Sequence, residues 1–156
     1  MKQFIIARKM KRYIVSLFLM LFSVYVFAVE WIPYGYTKYI YFKNGVKEKE
    51  ISKVGSVKFA FEGSRMYMEN LGFPGYTTGY CVFEGYSNGN MYYSVWFEGK
   101  NILDEYFGPT KSENLYFLVS TDKSTINYVS LDTMGRPLTI SVYQKANTAP
   151  IERMYK

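Results

Sequence analysis

The 156-residue chain has no histidine, and Cys81 is its only cysteine. Without histidine there is no Ser-His-Asp or Cys-His triad and no zinc site built on imidazole. With one cysteine no intrachain disulfide forms. Cys81 does not follow the N-terminal apolar run, so it is not a lipid-attachment cysteine. Between Tyr80 and Val82 it reads as a small buried hydrophobe; an intermolecular link or a nucleophile is the rival role. Glycine-rich phosphate loops and oxygen-rich calcium loops are missing too. No pair of carboxylates is placed to face across a cleft as glycoside hydrolysis needs. Only lysine is left as a base for a serine or threonine nucleophile, and the expectation is that no Ser-x-x-Lys pair serves beyond residues 1–28. The sequence therefore predicts a protein that is not an enzyme, with no cofactor and no metal.

Positive charge is also scarcer than it looks. The formal net charge is +6, from 19 basic and 13 acidic residues. Lys2, Arg8, Lys9, Lys11 and Arg12 hold five of the basic charges, and no acidic residue lies in 1–28. The remainder carries 14 basic and 13 acidic residues, a net +1. No basic stripe is left for nucleic acid. The basic cluster precedes the uncharged run Tyr13 to Ala28, and Val26-Phe27-Ala28 places small or β-branched residues where a signal peptidase reads. Residues 1–28 are thus predicted to be a signal peptide, residues 29–145 a single β domain and 146–156 a C-terminal tail. The run falls short of the roughly 20 residues of a spanning helix. Export to a periplasmic or extracellular location follows, with membrane contact only through the signal segment before cleavage. The alternative is a membrane anchor left uncleaved at Tyr13 to Ala28. Met10-Lys11-Arg12 offers a second start with a shorter basic region.

What is abundant is aromatic: 17 Tyr and 12 Phe, in a chain that is 49% hydrophobic. That suffices for a packed core and suits strands. The strongest local signal is Gly79 to Glu98, where two aromatic and β-branched runs flank Asn88-Gly89, a type I′ hairpin pair. Strict alternation from that turn sets Tyr86 against Met91, Glu84 against Tyr93, Val82 against Val95 and Tyr80 against Phe97. It puts Tyr80, Val82, Tyr86, Met91, Tyr93, Val95 and Phe97 on one face. Cys81, Phe83, Tyr92, Ser94, Trp96 and Glu98 fall on the other, with Trp96 opposite Cys81.

Ser56 to Glu69 is a second hairpin about Gly63-Ser64, a type II′ loop. Its register pairs Phe61 with Met66 and Phe59 with Met68 on one face, and Glu62 with Arg65 and Lys58 with Glu69 on the other. Asn44-Gly45 marks another tight turn. After it the charged run Val46 to Val54 reads as an exposed edge, where Lys and Glu discourage pairing. Asn70 to Thr78 is a loop. Asn101 to Pro109 carries an Asn cap, acidic residues in the first turn and a Gly-Pro stop, and predicts a short helix of two turns, with a strand as the other reading. Strands follow at Leu115 to Ser120, Thr125 to Leu131 and Leu138 to Gln144, with Gly135 in a left-handed turn position. Phe-Glu-Gly recurs at Phe61, Phe83 and Phe97, which reads as a shared strand-end device. The fold class is all-β: an antiparallel meander of eight or nine strands with one short helix, closed as a small barrel or folded as a two-sheet sandwich.

Two roles fit this fold. One is a non-catalytic binding or interaction module using surface aromatics, with Trp31, Tyr67, Tyr92 and Trp96 as candidates and a protein or a carbohydrate as partner. The other is a carrier or sensor holding a small apolar ligand in a barrel cavity.

Overall fold

The computed structural model describes residues 29–71, 78–100 and 106–146. Nine antiparallel strands are found among them: β1 (Trp31–Lys43), β2 (Val46–Ser52), β3 (Ser56–Glu62), β4 (Arg65–Met68), β5 (Thr78–Ser87), β6 (Asn90–Lys100), β7 (Tyr106–Val119), β8 (Thr125–Leu131) and β9 (Pro137–Lys145). From β3 to β9 each strand bonds to the next, and β9 bonds back to β1. The sheet therefore closes, and the barrel is chosen over the sandwich.

The strand count has a simple geometry. β2 pairs with Lys38 to Lys43 of β1, and β3 pairs with Trp31 to Gly35 of the same strand. Lys53 N donates to Thr37 O at 2.9 Å and Tyr36 N donates to Gly55 O at 2.8 Å across the break. β2 and β3 are two halves of one stave, so nine strands make an eight-stave barrel.

The turns fold as their residues dictate. Asn44 and Gly45 have φ of 52° and 77°, and Asn88 and Gly89 have 49° and 77°. Two successive positive angles are what a type I′ turn demands. At the β3–β4 turn Gly63 alone is positive, at 57°, the type II′ pattern. The predicted β3–β4 register is found: Phe59 faces Met68, Phe61 faces Met66 and Glu62 faces Arg65. Phe59 and Met66 are fully buried, whereas Lys58 and Glu69 form an exposed ion pair at 4.0 Å.

The predicted β5–β6 register needs correction. Tyr86 faces Met91 as expected, but Gly85 faces Tyr92 and Phe83 faces Tyr93, with a register shift at Glu84. Glu84 is an extra residue on β5, and Gly85, at φ 136°, absorbs the bend. Beyond this bulge every β5 side chain changes face. Cys81 and Phe83 turn inward with Tyr93 and Val95, while Tyr80 and Val82 turn outward. Trp96 lies opposite Tyr80, not Cys81. Cys81 is buried, and its apolar surroundings push the thiol far above its usual range.

The predicted helix is corrected in part. Tyr106 to Pro109 belong to β7, which pairs Tyr106 with Lys100 and Phe107 with Gly99. Gly108 and Pro109 sit at a register shift, where a strand tolerates proline. Residues 101–105, the signal segment 1–28, most of the predicted 70–78 loop and the tail from 147 onward lie outside the described residues. Of the three Phe-Glu-Gly sites only Gly63 closes a strand. Gly85, at φ 136°, stands at a shift within β5, and Gly99, at φ 120°, stands at a shift one residue before the end of β6.

Rings fill the middle of the barrel. The ring centre of Phe59 on β3 lies 5.2 Å from Tyr34 on β1, 5.4 Å from Tyr143 on β9 and 6.1 Å from Phe117 on β7, all edge-to-face. Phe117 stacks on Tyr128 at 4.4 Å. Each such side chain contributes roughly 1.5–3 kcal/mol by burial. One mouth is covered by the β7–β8 turn. Tyr34 donates its hydroxyl to Lys123 O at 2.6 Å, and the Lys123 ammonium stands 4.5 Å from the Phe61 ring. Ion pairs lie outside, as in Lys38 and Lys47 with Glu50 and Arg136 with Asp132. An apolar inside and a charged outside reverse the alternation of barrels that sit in lipid.

Candidate functional site: an outward aromatic face on β5, β6 and β7

Alternation on β6 sends Tyr93, Val95 and Phe97 into the core, and therefore Tyr92, Ser94 and Trp96 outward. The Glu84 bulge adds Tyr80, Val82 and Glu84 from β5 to the same side. β7 supplies Lys111, opposite Trp96, Tyr116, opposite Ser94, and Leu118, opposite Tyr92. Ser94 is 1% exposed although it points away from the core. Its larger neighbours close over it.

A short relay runs through Ser94. The indole Nε1 of Trp96 donates to Ser94 Oγ at 2.9 Å. Ser94 Oγ donates to Glu84 Oε1 at 2.7 Å, and Lys111 Nζ donates to the same oxygen at 2.8 Å. The Lys111 ammonium also stands 6.0 Å from the Trp96 ring. Hydrogen bonds from Lys111 and then Ser94 hold the Glu84 carboxyl below its usual range. Glu84 thus stays ionised through neutral pH and acts as an acceptor. Beside the relay, Tyr92 and Tyr116 lie with ring centres 5.2 Å apart at 37°. On the β4 side, the Arg65 guanidinium covers the Tyr80 ring at 5.0 Å. Its pKa is raised, first by a hydrogen bond with Tyr67 and in smaller part by the charge of Glu98.

The four sequence candidates are placed unequally. Tyr92 and Trp96 share this face. Tyr67 on β4 is half-buried and donates to Glu62 at 3.4 Å, beside Arg65. Trp31, 47% exposed, opens β1 and, among the described residues, shares with Tyr67 the register row Trp31, Ala60, Tyr67. It stands four staves from Trp96 and does not join the face. Tyr80, Glu84, Ser94, Lys111 and Tyr116 were not anticipated. Gly85 inside a strand was the available signal for the bulge that brings in Tyr80 and Glu84.

The expectation of no Ser-x-x-Lys pair is corrected: Ser120-Thr121-Asp122-Lys123 has that form. The two groups are not joined. Ser120 Oγ donates to Asp122 Oδ1 at 2.7 Å, and the Lys123 ammonium is directed over Phe61. Among the described residues no three Cys, Asp or Glu side chains gather as a metal site.

Fold and face together define a closed, ring-filled antiparallel barrel with a pre-ordered aromatic and ionic outer surface. No family model, curated protein or solved structure matches the chain.

Proposed function

We propose that the protein is an exported binding module that captures its partner on the outer face of β5, β6 and β7. The observation that carries this is the Trp96–Ser94–Glu84–Lys111 relay, which fixes an indole and an ion pair on the surface instead of leaving them mobile. Pre-ordered aromatic and charged groups lose little entropy on binding. Export rests on the sequence pattern of residues 1–28. The carrier role has less support, because Phe59, Tyr34, Phe117 and Tyr143 occupy the middle of the barrel where an apolar ligand would lie.

The test is co-sedimentation of the chain, as its own cells export it, with envelope and extracellular material from those cells. Wild type and Trp31→Ser are expected to co-sediment, and a Tyr92→Ser/Trp96→Ser double variant to remain in the supernatant. Equal behaviour of all three would refute the assignment.

A further inference from the structure

Resting on that assignment, we infer that the ligand of the β5–β7 face is an uncharged oligosaccharide. Charge is the first ground. Glu84 is matched by Lys111 at 2.8 Å, and Arg65 has the opposite charge of Glu98 near it. A polyanion would meet as much repulsion as attraction here. Unused hydrogen-bonding capacity is the second. Glu84 spends Oε1 on both its donors, which leaves Oε2 open, and Lys111 spends one donor of three. The Tyr92 and Tyr116 hydroxyls hold no bond among the described residues, and both side chains are partly exposed.

A sugar hydroxyl donates and accepts at one atom. Adjacent hydroxyls can therefore bridge a carboxylate oxygen and an ammonium side by side, while the pyranose ring rests on Tyr92, Tyr116 or Trp96. A peptide is less well served. It binds a sheet chiefly by adding a strand to an open edge. β6, at the centre of this face, is bonded on both sides, to β5 and to β7. The face offers side chains rather than main chain.

The two tryptophans make the test direct. In a full-length Trp31→Phe chain, Trp96 is the only indole. Cellohexaose, laminarihexaose, xylohexaose and chitohexaose are titrated against its emission, with heparin and polygalacturonate as charged comparators. At least one neutral oligosaccharide is expected to shift the emission saturably. Tyr92→Ala, Tyr116→Ala and the double change Glu84→Gln with Lys111→Met should each weaken that binding about tenfold, the scale of a hot-spot truncation. Tyr41→Ala, remote on β1, should leave it unchanged, and circular dichroism checks that every variant is folded. Silence from all four neutral sugars, or a response to the polyanions alone, overturns the inference. If co-sedimentation still depends on Tyr92 and Trp96 in that event, the binding face stands and only the sugar falls. If it does not, both fall.

Discussion

At the residue scale two glycines govern where side chains go. Gly85 makes room for Glu84 as an extra residue and so decides which β5 side chains reach the outer face. Counting by twos from Asn88-Gly89 cannot detect it, because the hydrophobic pattern of β5 reads plausibly on either face. Tyr80, Cys81, Val82 and Phe83 are all apolar or aromatic. Gly79 acts by close approach instead. A Cβ there would lie 2.7 Å from Leu71 O and 3.2 Å from the Phe97 ring. Backbone cannot yield as a side chain tip can. Gly79→Ala is expected to destabilise the barrel by about 1–3 kcal/mol, the cost of overpacking. Gly108→Ala, whose Cβ would meet nothing within 4 Å, serves as the comparison. Urea unfolding followed by circular dichroism checks both, with a lower midpoint and unchanged slope expected for Gly79→Ala alone.

At the element scale, what was legible depended on local pairing. The β3–β4 hairpin could be read because turn chemistry, apolar pairs and ion pairs all agree on one register. β7 could not, because Gly108-Pro109 resembles a helix stop and only the neighbouring stave shows it to be a bulge. Among the described residues β2 pairs with β1 alone, and its outer edge carries a similar device. Tyr41 faces Lys49 and Phe42 faces Lys47, so Glu48 is an extra residue that bends the edge. Charge and bend together blunt an open edge against other chains. Deleting Glu48 should straighten β2 and expose a regular ladder. The deletion variant is expected to self-associate with rising concentration where wild type does not, as size-exclusion chromatography with light scattering would register.

At the scale of the whole molecule, stability is tied to neutral tyrosines. Burial pushes the Tyr128 hydroxyl up to about 12 from 10.0. Burial is also the leading cause that raises Tyr34, Tyr93 and Tyr143. These groups ionise more readily in the unfolded chain. Their contribution is therefore complete below the unfolded value and is lost as pH rises through the folded one. Stability should hold up to pH 10 and fall steeply between 10 and about 12, the window of Tyr128. Tyrosinate absorbance and the strand circular dichroism signal are expected to change together. Ionisation of all the tyrosines while the strand signal persists would contradict this. Neither the ring-filled centre nor the β1–β9 seam could be read from the sequence, since both join residues far apart in the chain.

That seam also orders events in time. Tyr36 and Ser141, which touch across it, are 105 positions apart. Every other stave finds its neighbour within a hairpin, but the ring cannot shut until its last stave arrives. A chain delivered N-terminus first, through a ribosome or a translocation channel, stays an open curl with two unsatisfied rims until β9 has emerged. The barrel then shuts in a single lateral zipping of β9 onto β1, and whatever holds those rims apart in the meantime sets how much of the product survives.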